Sequence, residues 1–454
     1  MKLALQLTGE SIPVLWVDRE SRGTPAAIRR RIAEFDDRVA LIIDDADLYG
    51  SQLVTMIRDL VPARQKLLFI IGMRANRLDP VSEPMARTGD VKLIEYVIPP
   101  LTDGDIKELI GVLDRFNRLG ILKGATPTAR YNAFAHQCGR QLLVAMFQAT
   151  TGERFEEKAA NEFDGLEGVQ KFVYSLLCIA SSQRHYLTRD EISLACAEVP
   201  GDPVDALRRL TTRHVIVTVP PANHYQARHR MIADVVFDRM QQQRQLLHPL
   251  KNLVVALATK FDVYDAGRAD RLSRILIRLT SHGFLLGLLG VNDARSIYAA
   301  IENALSDDYH YWLQRGSLEV EAGDLRSGEH FLNQARSMSG GDYRVDTEYG
   351  YLLMRKAIEK PTDLDAEKLI AEGVQLLESV IAAGGPHAHY AYHILGSQGV
   401  AWTARVARTP DEQRRLLSYY LNVVEEGLRK HPFERDLAQL RDDIKHRLLL
   451  TTVR

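Results

Sequence analysis

The chain has 454 residues, enough for about three domains of roughly 150 residues each. Its 58 basic and 59 acidic side chains nearly cancel, so the overall charge points neither to a nucleic acid nor to an acidic membrane surface. Three cysteines without a CxxC pair exclude a zinc ribbon and favour a reducing compartment. No apolar run approaches the roughly 18–20 residues that span a bilayer, and we expect a cytoplasmic, multi-domain, globular protein.

Residues 1–100 alternate short apolar segments with amphipathic ones, which predicts a parallel α/β sheet. Strands are predicted over 13–17, 39–43, 66–72 and 91–98, and helices over 23–35 and 50–61. The third strand is apolar throughout, as expected where helices cover both faces of a sheet. Ligands of such sheets bind at the carboxyl ends of the strands.

Charged residues follow two of these strands. The second strand runs into Asp44 and Asp45, and the third ends in Gly72, Met73 and Arg74. Carboxylates suit magnesium and an activated water, whereas the planar fork of an arginine suits a phosphate. The alternative is a buried strand that runs into a turn, where aspartate is common.

After residue 100 the pattern becomes helical. Segments 103–120, 129–138 and 141–152 predict helices with glycine stops. Three further helices, over 168–183, 188–197 and 202–215, precede two strands within 215–229 that flank a Pro-Asn turn. The second of these helices starts with Thr188 as N-cap and an acidic first turn, and the third repeats that pattern with Asp202-Pro203. Three helices and a β-hairpin predict a winged helix.

A winged helix can bind DNA, and Arg208, Arg209 and Arg213 lie near its recognition helix. No further basic stripe accompanies these arginines, and acidic residues occur throughout the segment. We therefore expect no nucleic acid partner.

The last part of the chain predicts helical repeats. Residues 311–338 resemble a tetratricopeptide repeat, a unit of about 34 residues. Its large and small packing positions are Trp312, Gly316, Gly323, Gly328 and Ala335. Segments 390–406 and 416–432 predict a second, looser helix pair. Such solenoids expose a concave surface, so we expect a protein partner there.

Three histidines, His387, His389 and His393, raise the alternative of a metal site. His389 and His393 share a helical face, but no cysteine or acid stands beside them in the sequence. Packing and surface positions are the favoured interpretation.

The order of these motifs resembles the STAND class of P-loop NTPases, which includes NACHT and NB-ARC proteins and bacterial antiviral defence proteins. The resemblance implies that Asp44 holds Mg²⁺, that Asp45 orients the attacking water and that Arg74 contacts the γ-phosphate. It implies that Gly139 contacts the nucleotide, although Gln141 stands where the motif has proline. It also implies that His229 contacts the β-phosphate of ADP.

Residues 99–110, "PPLTDGDIKELI", resemble the entry of the STAND helical lid, with Gly104 and Asp105 in place of the usual acidic pair. The implied layout is a multi-domain, mostly α protein. Its parts are an incomplete α/β P-loop core over 1–100, a helical lid over 101–160, a winged helix over 161–243 and a tetratricopeptide-like α-solenoid over 244–454.

The phosphate-binding segment of a P-loop NTPase, G-x-x-x-x-G-K-[ST], is not found in the sequence. The opening "KLALQL" resembles the end of the helix that follows this loop. Two interpretations stay open: a fragment of a longer STAND protein, or a degenerate member that has lost its nucleotide. We expect ATP or ADP and Mg²⁺ to bind, and ATPase activity, only where the missing segment is supplied.

The function that this resemblance implies is a nucleotide-dependent switch. ADP would hold the winged helix closed, a trigger on the repeats would open it, and protomers would then self-associate. The alternatives are a non-enzymatic scaffold whose repeats bind a protein, and a transcriptional regulator that uses the winged helix.

Overall fold

The computed structural model describes residues 2–17, 25–35, 38–43, 46, 51–60, 67–73, 94, 96, 99–137, 140, 155–219, 223–261, 271–385, 388–407, 409–432 and 434–452. Most of these residues are helical, and they include one small parallel sheet and one antiparallel sheet of three strands each. The chain divides into two compact units. Unit 1 comprises Met1–Tyr96 and Arg315–Arg454, and unit 2 comprises Val97–Gln314.

The amino-terminal part of unit 1 is built on the parallel sheet. Its elements are α1 (Lys2–Gly9), β1 (Val14–Val17), α2 (Pro25–Ile32), β2 (Val39–Ile43), α3 (Ser51–Leu60) and β3 (Leu67–Ile71). The strands lie in the order β1-β2-β3 and all pairs are parallel, as the alternation of strands and helices predicts. In the register, Ile43 pairs with both Val17 and Ile71, so the three strands end level.

One face of this sheet carries the core. Leu41 and Ile43 of β2 pack with Val17 and with the apolar sides of α2 and α3. On the opposite face, Trp16 and Leu68 are 47% and 42% exposed. The expectation that helices cover both faces is therefore wrong at these two positions, because the described helices α2 and α3 pack on the same side.

The predicted fourth strand, over 91–98, lies largely outside the described residues. Ile94 and Tyr96, which are described, belong to no strand and are exposed. At these two residues the prediction of a strand is wrong. Ile94 and Tyr96 belong to the apolar pattern that predicts the strand, but their side chains contact solvent.

Unit 2 begins with α4 (Asp103–Arg115), α5 (Pro127–Asn132) and α6 (Phe155–Asp164). Three helices and three short strands follow: α7 (Gly168–Ser182), β4 (Leu187–Thr188), α8 (Arg189–Ala195), α9 (Pro203–Thr212), β5 (Ile216–Val219) and β6 (His224–Ala227). The strands form an antiparallel sheet in the order β4-β6-β5. The two strands predicted around a turn within 215–229 are thus present as β5 and β6.

The local sequence explains these helix starts. Thr188 caps α8 and forms a capping box with Glu191, as its acidic first turn predicts. Asp202 caps α9, and Pro203 occupies the first helical turn, where a missing N–H costs nothing.

The rest of unit 2 is helical: α10 (Arg230–Gln242), α11 (Leu247–Lys260), α12 (Arg271–Leu279), α13 (His282–Leu289) and α14 (Val291–Leu305). The buried helix α11 packs against α7, α8 and α14, and so joins the sheet-bearing part of the unit to the helices that follow.

The carboxyl-terminal helices are α15 (Tyr309–Ala322), α16 (Leu325–Ser339), α17 (Tyr343–Glu359), α18 (Ala366–Ala383), α19 (Ala388–Val406), α20 (Pro410–Lys430) and α21 (Arg435–Thr452). In unit 1, α17 packs against α16, α18 and α19, and α20 packs against α19 and α21. Their apolar side chains form continuous clusters that run from Met354 to Ile444.

Glycines set the closest approaches within the first of these helix pairs. A Cβ atom on Gly316 of α15 would stand 2.7 Å from Leu332 of α16, and one on Gly328 of α16 would stand 2.7 Å from Val320 of α15. Gly323 has another role, because its surroundings are open and its φ is +86°. The prediction that Gly323 is a packing position is therefore wrong; it forms the turn between the helices.

The same reciprocal arrangement recurs in α17 and α18. A Cβ atom on Gly350 would stand 2.9 Å from Leu377, and one on Gly373 would stand 2.9 Å from Met354. Gly350 lies 34 positions after Gly316. The second pair therefore repeats the close glycine contacts of the first, with a longer second helix.

Candidate functional site

The carboxyl ends of β2 and β3 are joined through one glycine. The N–H of Gly72 donates to the carbonyl oxygen of Ile43 at 2.8 Å, and the N–H of Ala46 donates to the carbonyl oxygen of Gly72 at 2.9 Å. The backbone immediately before and after residues 44–45 is therefore held against the end of β3. Asp44, Asp45 and Arg74 themselves lie outside the described residues.

The start of α4 is stabilised by a capping box. The N–H of Asp105 donates to Oγ1 of Thr102 at 3.2 Å, and the N–H of Thr102 donates to a carboxylate oxygen of Asp105 at 2.8 Å. The hydrogen bonds that the Asp105 carboxylate accepts from the Thr102 hydroxyl and from the Thr102 N–H hold its pKa below the usual value. Thr102 and Asp105 of the "LTDGD" segment thus cap the start of α4.

A second network fixes the entry of α4 to the residue that follows Gly139. Asp103 accepts a hydrogen bond from the Tyr131 hydroxyl at 2.6 Å and forms an ion pair with Arg140 at 2.7 Å. These contacts lower the pKa of the Asp103 carboxyl. The N–H of Leu101 also donates to the carbonyl oxygen of Arg140 at 2.8 Å. Gly139 lies outside the described residues, but its neighbour Arg140 is firmly attached to the start of α4.

His229 is exposed and lies between β6 and α10, where it is the N-cap of the helix. Its Nδ1 accepts a hydrogen bond from the N–H of Met231 at 3.2 Å. A neutral imidazole whose Nδ1 accepts carries its proton on Nε2. His229 can therefore present a donor to an anionic oxygen while its other nitrogen caps the helix.

Two ion pairs attach α6 to the segment around His229. Arg228 pairs with Glu162 at 2.6 Å, and both side chains are largely buried. Arg239 of α10 pairs with Asp164 at 2.7 Å. The backbone on either side of His229 is thereby held against the last turns of α6.

The two arginines of α9 share one carboxylate. Arg208 and Arg209 both pair with Asp205, at 2.5 and 2.6 Å. These hydrogen bonds lower the pKa of the Asp205 carboxyl. Each of these two arginines therefore has a carboxylate partner within its own helix.

The histidines near residue 390 have a neighbour that the sequence does not reveal. The Nε2 atom of His389 lies 4.0 Å from a carboxylate oxygen of Glu434. The ring centres of His389 and His431 lie 5.7 Å apart. Burial and the nearby His389 lower the pKa of His431. Within the described ranges, no three histidine, cysteine or acidic side chains are grouped so that they could hold a metal ion. His387 lies outside those ranges.

Cys178 and Cys196 are buried free cysteines. Burial raises the pKa of the Cys178 thiol well above its usual value and that of Cys196 to about 12. Neither thiol is suited to nucleophilic chemistry, because the thiolate is the reactive form.

No family model matches the chain, and neither a curated protein nor a solved structure does so. In the described part of the chain, no single helix is long and apolar enough to cross a membrane; only the bent pair α12–α13 meets the length and composition criteria together.

Proposed function

We propose that the chain is the switch and sensor part of a STAND-type signalling NTPase. In this proposal the parallel sheet contributes Asp44, Asp45 and Arg74 to an ATP–Mg²⁺ site, and His229 contacts the phosphates of ADP. A protein trigger binds the carboxyl-terminal helices, and the activated protomers self-associate. Prokaryotic antiviral defence is the setting that the resemblance favours.

The observation that carries the proposal is the backbone connection at Gly72. Since Ile43 and Ala46 both bond to Gly72, the segment that contains Asp44 and Asp45 starts and finishes beside the end of β3. Arg74 follows Gly72 by two positions. A magnesium ligand, a water-orienting acid and a phosphate-binding arginine are needed at such an edge.

The surroundings of His229 support the second part of the proposal. An exposed imidazole with its proton on Nε2 can donate to a phosphate oxygen, and it lies at the start of a 13-residue helix whose N-terminus favours anions. The elements that precede His229 follow the order of a winged helix: a helix, a strand, two helices and a hairpin. Helix α6 begins within the lid segment 101–160, so its ion pairs would transmit a movement of that segment to His229.

The helical pairs support a tetratricopeptide-like sensor. Gly316 and Gly350 lie one repeat length apart, and each makes a close contact with a leucine of the following helix. Stacked pairs of this kind bury a continuous core and expose an extended surface for a partner.

The second candidate is a scaffold without nucleotide chemistry. The observation that favours it is that the helix pairs pack through close glycine contacts, such as Gly316 against Leu332 and Gly350 against Leu377, and this packing involves no nucleotide. The two candidates differ in one measurable property, which is nucleotide binding.

The test uses an extended chain in which a strand and a G-x-x-x-x-G-K-[ST] loop precede Met1. Calorimetry with ADP and Mg²⁺ should show binding by the extended chain, and replacement of the loop lysine by alanine should abolish it. The scaffold candidate predicts that neither form binds. The chain without the extension should bind ADP weakly or not at all, because most phosphate contacts come from the loop.

A further inference from the structure

The turn between α17 and α18 exposes one leucine completely. Leu364 is 101% exposed, and it stands between Asp363 and Asp365. The turn is nevertheless ordered: the N–H of Asp363 donates to the carbonyl oxygen of Lys360 at 3.1 Å, and the N–H of Ala366 donates to that of Asp363 at 3.0 Å. Leu364 is thus presented on a fixed loop, which lowers the entropy cost of binding.

A groove in the same unit has the complementary chemistry. It measures about 320 Å³ and lies between the α15–α16 turn and the carboxyl-terminal ends of α17 and α19. Leu325 and Ile358 give it an apolar lining, and Arg355 and Arg405 give it two cations against the single carboxylate of Glu359.

Among the described residues, none forms an ion pair with the arginines of the groove or with the aspartates of the loop. Arg355 donates to the hydroxyl of Tyr351 at 2.8 Å, and neither it nor Arg405 forms an ion pair with a described carboxylate. Asp363 and Asp365 likewise form no ion pair with a described cation. Elsewhere in these helices such pairs are common, as between Lys356 and Glu329.

We propose that the Asp363–Leu364–Asp365 loop of one copy binds the Arg355/Arg405 groove of a second copy. Leu364 would fill the apolar part of the groove, and the two aspartates would face the two arginines. The loop directly follows Ile358 and Glu359, which line the groove, so each copy carries both halves of the contact side by side. Such a patch is self-complementary, and a two-fold dimer forms the contact twice.

This inference goes beyond the proposed nucleotide switch and does not depend on nucleotide. A single loop in a groove buries less area than a standard stable interface, so we expect a weak, concentration-dependent dimer. The occupant is a second copy rather than another protein, because the loop already supplies the apolar and acidic groups that the groove requires.

Sedimentation equilibrium of the full chain, without nucleotide, tests this over roughly 1 µM to 1 mM, the range of weak complexes. The chain should follow a monomer–dimer equilibrium. Leu364→Asp should weaken dimerisation by about tenfold or more, because each of the two contacts loses the burial of a leucine side chain. Arg405→Glu, tested separately, should also weaken it by about tenfold or more, because the charge of one groove cation is reversed at both contacts. Circular dichroism should show unchanged folding, because both side chains are exposed.

Matched controls separate this contact from general surface effects. Leu450→Asp and Arg415→Glu change an exposed leucine and an exposed arginine elsewhere in unit 1, and both should leave dimerisation unchanged. An equal mixture of Leu364→Asp and Arg405→Glu chains should associate more strongly than either variant alone, because the mixed pair retains one intact loop and one intact groove that face each other.

A chain that stays monomeric throughout the concentration range would overturn the proposal. So would a dimer that Leu364→Asp leaves intact, controls that weaken the dimer equally, or a mixture that associates no better than its components.

Discussion

A Cβ atom on Gly316 would stand 2.7 Å from Cγ of Leu332, so this glycine and this leucine fix how closely α15 and α16 pack. Gly316→Ala should lower the free energy of unfolding of the chain by about 1–3 kcal/mol, because the added methyl group overpacks the contact. Urea unfolding followed by circular dichroism measures the change.

Gly111→Ala is the matched control for Gly316→Ala. Gly111 is an exposed position of α4 with nothing within 4 Å of an added Cβ atom. Alanine there should be neutral or stabilise the chain by about 0.5–1 kcal/mol. Equal effects of the two substitutions would show that Gly316 is not a close packing position.

Trp312 is buried, and its indole N–H donates to the carbonyl oxygen of Ser306 at 2.7 Å. Trp312→Ala should cost about 3–5 kcal/mol of stability, as large-to-small core substitutions do. Trp312→Phe keeps most of the apolar volume and should cost less. An unchanged melting curve for Trp312→Ala would instead place this side chain on a partner-binding surface and remove it from the core.

His185 makes stability depend on pH. Burial and the nearby Arg271, Arg274 and Arg278 lower its pKa from 6.5 to about 4. The folded state therefore binds this proton less readily than the unfolded state, so the stabilisation is complete above pH 6.5 and is lost as the pH falls towards 4.

Urea unfolding of the wild type and of His185→Gln at several pH values measures this effect. The free energy of unfolding should fall less steeply for His185→Gln between pH 6.5 and 4. Parallel curves for the two proteins would mean that His185 titrates normally.

His229 combines a helix cap with the proposed phosphate contact, and two substitutions separate these roles. His229→Ala removes both, whereas His229→Asn restores a capping oxygen without an imidazole. In the extended chain, both should weaken ADP relative to ATP by about 1–3 kcal/mol, the size of one charge-assisted hydrogen bond. Calorimetric titrations with the two nucleotides give this difference.

Thermal unfolding distinguishes the two His229 variants. Only His229→Ala should lose stability, by about 0.5–2 kcal/mol for a missing cap. Wild-type nucleotide preference in both variants would leave His229 with a capping role alone.

The sequence predicts those features that depend on neighbours along the chain. The three described strands of the parallel sheet, the Thr188 cap and the Asp202-Pro203 helix start all follow from local patterns, and they are present. Apolar runs and capping residues act over a few positions, so they can be recognised without the fold.

The connections around the candidate site could not be predicted in this way. Arg228 and Glu162 lie 66 positions apart, and Asp103 reaches Tyr131 across 28 positions. Such pairs depend on how helices pack, and no spacing rule links their members. For the same reason, no sequence pattern reveals that Glu434 lies beside His389.

The glycine contacts of α17 and α18 could have been found. Gly350 and Met354 repeat the spacing of Gly316 and Val320, and Gly373 and Leu377 repeat that of Gly328 and Leu332. The first helix of this pair is longer, its turn is longer, and Gly373 lies further into the second helix than Gly328 does. These differences shift Gly373 out of a strict 34-residue period and hide the repeat from a search at one fixed spacing.

The most direct test compares ATP hydrolysis by the extended chain and by its Asp45→Asn variant. ATP binding by both chains is measured in parallel. Asparagine keeps the size of the side chain but removes the charge that orients the attacking water. We predict that both chains bind ATP with Mg²⁺ and that only the wild type hydrolyses it. Equal turnover by the two chains, or no ATP binding by either, would contradict a nucleotide switch built on the carboxyl ends of β2 and β3.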